Sequence, residues 1–193
     1  MAPAPLSPLP EGDGRPDPLA DAVIARSVEA HIPALLDWLR PRVPALEPHE
    51  ICAGVIAAVR RSGADGFRAA CHLKNENSWP ADMGLCLILR DITHHLDFAL
   101  RQVTSEWVMR TGYRFPAKDR EQIEWIDGAG RKRMGEVVAV DRSLAAGVVQ
   151  PVEGLLKAGD PRRVLAEQVI TNLTTGKAPT GRVPRQRKAI LDA

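Results

Sequence analysis

At 193 residues and 21.0 kDa the chain is long enough for one well-packed core and short for two full domains, so one domain with tails is the expectation. Hydrophobic residues at 45% and charged residues at 26% exclude wholesale disorder, and only 4% aromatics leaves the core to Leu, Val, Ile and Ala, which favours packed helices over a β-sandwich. A net charge of +2 with a pI near 8.6 is too mild to announce nucleic-acid binding by itself, so any basic surface must be local.

Residues 1–16 are rich in Pro with almost nothing to bury, which reads as a disordered arm. The stretch MAPAPLSPLPEGDG has neither the basic start nor the apolar run of a secretory signal. The longest apolar run, Met83 to Leu89, is far short of the roughly 20 residues that span a bilayer. A cytoplasmic location without membrane contact is therefore expected. Arg outnumbering Lys beside many Ala, Pro and Gly is the composition of a GC-rich, bacterial genome.

A helical domain is expected over residues 17–175. Asp17-Pro18 is a cap and first-turn pair, and Val23, Ile24, Val28, Leu35, Leu36 and Leu39 follow at helical spacing. Pro33 lies inside that run and predicts a kink or split near Ala30 to Ile32. A second helix, Glu47 to Ser62, carries Ile51, Cys52, Val55, Ile56 and Val59 and closes at Gly63. Phe67, Ala70, Cys71 and Leu73 mark a short third helix.

The stretch from Pro80 to Arg110 predicts one long central helix, because Leu85, Leu89, Ile92, Leu96, Leu100, Val103 and Trp107 step by three or four. Asn77 or Ser78 would cap its start, and Gly112 stands past its end. After a connector, Ile123, Trp125, Val137, Val138 and Val140 flank an Asp127-Gly128 turn signal, which predicts a small β-hairpin at about residues 122–140. Two further helices are expected beyond it, one from Ser143 to Ala158 and one carrying Val164, Leu165, Val169, Ile170 and Leu173. Residues 176–193 form an expected basic, flexible tail. The fold expected from these elements is mainly α: a single-domain irregular helical bundle around the central helix with one small hairpin.

Two constellations carry chemistry. On the polar face of the central helix, Asp91, His94, His95 and Asp97 are three or four residues apart, a spacing that can converge on a metal ion or a water for acid/base work. No Glu-x-x-His pair on another helix completes a ligand set, so no metal is assigned and no cofactor is named. A solvated face of Asp-His and Asp-Arg contacts accounts for the same residues. Cys52, Cys71 and Cys86 each fall in an apolar helical pattern and read as buried free thiols.

The second constellation is basic. Arg131, Lys132 and Arg133 flank the hairpin tip, Arg162 and Arg163 open the expected last helix, and Lys177, Arg182, Arg185, Arg187 and Lys188 follow, with Asp192 the only acid in the tail. Such residues neutralise phosphates, although a tail that only maintains solubility has the same composition. TTGKAPTG lacks the leading Gly and the hydroxyl after Lys177 that a phosphate loop needs. The favoured expectation is a small binding or regulatory protein that touches nucleic acid or an acidic protein surface through its C-terminal region. The alternatives are an enzyme using the helix-face cluster and a structural subunit of a larger assembly, and an oligomer is compatible with each.

Overall fold

The structure, a computed structural model, describes residues 14–43, 46–153, 156–157 and 159–178. The Pro-rich arm up to residue 13 and the basic tail from residue 179 lie outside the described residues. The chain divides into two compact units, one up to Thr104 and one from Ser105.

The first unit is helical. Helix α1 (Asp21–Glu29) and helix α2 (Ile32–Leu39) result from the split at Pro33, which sits in the first turn of α2, where its missing N–H costs nothing. Helix α3 (Pro48–Ser62) starts in a reciprocal capping box between Glu47 and Glu50 and ends on left-handed Gly63. Helix α4 (Gly66–Asn77) is capped by Asp65, whose carboxylate accepts the Arg68 N–H. Helix α5 (Met83–Thr111) is the long central helix.

Its cap is Asp82, which accepts the Leu85 N–H at 3.0 Å. The expected caps, Asn77 and Ser78, instead end α4, with Ser78 left-handed. Leu85, Leu89, Ile92, Leu96, Ala99 and Val103 bury one stripe of α5 in a core with Val23 and Ile24 of α1, Leu35 of α2, Val55 and Val59 of α3, and Leu73 of α4. Each large side chain among them contributes about 1.5–3 kcal/mol on burial. A polar pin runs through this core at Ser27, fully buried, whose hydroxyl donates to the Ile92 carbonyl at 2.7 Å.

The second unit is a curled antiparallel sheet. Strands β1 (Gln122–Ile126) and β2 (Lys132–Asp141) form the hairpin. Strand β3 (Ala146–Glu153) pairs with β2, a two-residue β4 (Leu156–Lys157) and then β5 (Arg162–Leu165) pair with β3, and β6 (Val169–Asn172) returns to pair with β1. One-turn 3-10 helices at Arg142–Leu144 and Ala166–Gln168 link β2 to β3 and β5 to β6. Ile123 and Trp125 of β1, Val137, Val149, Val164 and Val169 alternate inward and bury Phe115 and Trp107 with them.

The expected mainly helical, single-domain bundle with one small hairpin is corrected here: five strands and the short β4 make a half-barrel with its own core. The two helices expected over 143–175 are strands. Gly147 and Pro151 do not interrupt a helix there. Gly147 makes room for Phe115, since a Cβ at that position would stand 2.5 Å from its ring. A bulge between Val137 and Ala139 leaves both Val138 and Ala139 exposed against the single Val148.

Candidate nucleic-acid interface

The hairpin tip is built around Asp127. Its carboxylate is almost fully buried, with 7% of the side chain exposed, and accepts the N–H groups of Ala129 and Arg131, both at 2.9 Å. It also accepts Nε–H bonds from Arg131 at 3.1 Å and Arg133 at 3.2 Å. The Arg131 amide foremost, with Arg133, Ala129 and the Arg131 side chain, holds the carboxyl far below the usual range against the opposing cost of desolvation. Lys132 stands 3.9 Å from Glu124, and Arg133 also lies 3.7 Å from Glu153. All three tip cations therefore have acidic neighbours.

Arg162 and Arg163 differ. Both are exposed, and neither has an ion-pair partner among the described residues. They lie on a strand, not at the start of a helix: among the described residues β5 pairs only with β3, placing Arg162 opposite Val149 and Arg163 opposite Val148. Cross-strand partners share a face, so Arg163 stands beside exposed Val148 on the outer side of the sheet, whereas Arg162, opposite buried Val149, falls on the other face and is exposed at the end of the short strand. Val148 in turn opposes Ala139, seven residues along β2 from Lys132, or about 23 Å at strand rise. The tip and β5 are thus two separate basic groups on one sheet.

Lys177 is exposed, and its carbonyl accepts the Asn172 N–H at 3.0 Å. Arg182, Arg185, Arg187 and Lys188 lie outside the described residues. Where the chain leaves the sheet it is held by Asn172, a buried residue that composition alone does not single out. Its Nδ2 donates to the Pro116 carbonyl at 3.1 Å and to Glu121 at 2.7 Å, and its Oδ1 accepts the N–H groups of Thr174 and Thr175. The Lys118 amide and then Asn172 lower the Glu121 carboxyl. The readable signal is the Asn itself, a residue whose side chain accepts backbone N–H groups two and three residues on in an Asx turn.

On α5 the acid/base candidates separate. Asp91 is exposed and 3.6 Å from Arg90. His94 and Asp97, both exposed, line a shallow depression of about 440 Å³ with Thr93, Leu96, Pro18, Leu19 and Ala64. His95 is half-buried and turns elsewhere, its ring edge-on to His31 at 5.4 Å and to Phe98 at 5.0 Å. Among the described residues no three His, Cys, Asp or Glu side chains are grouped to hold a metal ion. None of the described helices is long and apolar enough to cross a membrane.

Comparison of the chain with family models, with curated proteins and with solved structures finds no match.

Proposed function

We propose that the chain is a cytoplasmic binding protein whose second unit takes hold of a polyanion, nucleic acid foremost, through Arg162, Arg163, Lys177 and the basic residues that follow. The observation that carries this reading is that Arg162 and Arg163, on the two faces of one edge strand, are both exposed with no acid paired to either among the described residues. A cation already paired gives up that pairing to bind a phosphate, whereas an unpaired guanidinium offers its fork of donors directly. Arg131, Lys132 and Arg133 contribute less, their charge being offset by Asp127, Glu124 and Glu153.

The test is a mobility-shift titration of the full chain with a duplex of mixed sequence at about 50 and about 200 mM salt, where phosphate-led binding weakens by orders of magnitude. Binding that falls with salt, and falls again in the Arg162→Ala/Arg163→Ala variant and on removal of residues 177–193, supports the reading. Absence of binding at the lower salt, or binding indifferent to salt and to these residues, rejects it.

A further inference from the structure

Nine large hydrophobic side chains are exposed among the described residues, and four of them belong to one helix: on α5, Met83 is 72% exposed, Leu87 42%, Phe98 54% and Met109 74%. At 3.6 residues per turn these four fall within about 80° of one another around the helix axis. Exposed Asp91, His94 and Arg101 lie in the same stripe. The stripe is centred opposite the buried one of Leu85, Leu89, Ile92, Leu96 and Val103. Single exposed apolar residues are ordinary on a protein surface, whereas four aligned on one helix face make a contact surface.

The order of residues along the stripe points to what covers it. Reflected about the level of Leu96, Met83 falls on Met109, Leu87 on Ser105, Asp91 on Arg101 and His94 on Phe98. We propose that the chain forms a two-fold symmetric dimer in which this face of α5 packs antiparallel on the same face of a second copy, crossing at the level of Leu96. Methionine then meets methionine at both ends, the His94 ring meets the Phe98 ring near the centre, and the Asp91 carboxylate meets the Arg101 guanidinium between them. Two-fold symmetry makes each contact twice. The charges select this arrangement. A parallel pairing sets Asp91 against Asp91 and Arg101 against Arg101, and an antiparallel one centred on His94 sets Asp91 against Asp97 and Leu87 against Arg101. Asp91 lies 3.6 Å from Arg90 of its own helix, an exposed contact weak enough to yield to a second cation across the interface. One helix face is a small interface, so the dimer forms in a concentration-dependent equilibrium.

The experiment is sedimentation equilibrium of the full chain over a concentration series reaching the high micromolar range. Of the three thiols expected to be buried only Cys52 is, Cys86 being partly exposed and Cys71 exposed, so the measurement is made in reductant to exclude disulfide-linked pairs. Expected is an equilibrium between 21.0 kDa and twice that mass. Phe98→Glu, Asp91→Arg and Arg101→Asp, all at exposed positions, should each raise the dimer dissociation constant by roughly tenfold or more. Asp91→Arg/Arg101→Asp exchanges the charges, restores opposite signs at both contacts and should return the constant toward that of the wild type. Far-UV circular dichroism of each variant checks that helix content is kept. A mass of 21.0 kDa throughout, assembly beyond two copies, a dimer indifferent to the single substitutions, or a double variant no tighter than the singles would each overturn the proposal.

Discussion

Arg133, six residues beyond Asp127 and across the hairpin turn, donates its Nε–H to the Asp127 carboxylate at 3.2 Å. That bond, with those from Ala129 and Arg131, makes one acid the organiser of the β1–β2 connection. Asp127→Asn keeps the shape, loses the charge and is expected to lower the unfolding midpoint of the second unit at neutral pH. The pH dependence has a definite sign. The folded carboxyl is held below its unfolded value of about 3.9, so its contribution is complete above that value and is lost as pH falls toward the lower, folded one. Urea titrations should show a constant gap between wild type and Asp127→Asn from neutral pH down to about pH 5, closing in stronger acid. A gap unchanged at pH 3 would contradict the assignment.

Two glycines of the first unit should respond oppositely to the same substitution. Gly66→Ala places a methyl group against the Arg90 backbone, which cannot move aside as a side-chain tip can, and a cost of about 1–3 kcal/mol or more is expected. Gly54→Ala, within α3, meets only ordinary contacts, 3.5 Å from the Trp79 ring and 3.6 Å from Leu73, and gains helix propensity of about 0.5–1 kcal/mol. Denaturant unfolding followed through Trp38 and Trp79 measures both.

Asn172 should behave as a structural pin. Asn172→Ala strands the Pro116 carbonyl and the Thr174 and Thr175 amides near a buried site, at an expected cost of about 1–3 kcal/mol. Asn172→Asp should cost more, because the new carboxylate faces Glu121 where the amide donated at 2.7 Å. Raised amide exchange at Thr174 and Thr175 in Asn172→Ala, with β2 and β3 unaffected, is the local signature to look for.

The helical half was legible because its signals are local. Pro33 splits a run, Gly63 closes one, and the stripe from Leu85 to Val103 repeats at helical spacing. The C-terminal half was not, because its determinants are pairings. Val148 and Val149 are β-branched and were the available sign of a strand, yet Gly147 and Pro151 make sense only once Phe115 and Gly135 are known to face them. The site shows the same division. Positive charge at Arg131 to Arg133 and at Arg162 and Arg163 could be read directly. That Asp127 engages Arg131 and Arg133 while β5 leaves Arg162 and Arg163 without an acid depends on the hairpin turn and on register.

That difference in pairing ranks the expected binding phenotypes. Arg162→Ala/Arg163→Ala removes two guanidinium groups that have no competing carboxylate among the described residues, so affinity for a duplex should fall and the salt slope should shrink by up to about 0.9 for each phosphate left without its cation. Arg131→Ala removes a cation already committed to Asp127 at 3.0 Å and should weaken binding less. Asp127→Asn works in the opposite direction: it leaves Arg131 and Arg133 facing a neutral amide, adds one net positive charge at the tip and should tighten binding at low salt, an advantage that screening erases at high salt. Anisotropy titrations of the three variants at two salt concentrations decide the order. If Arg131→Ala proves more damaging than the double variant, the anion is held at the hairpin tip and not on β5.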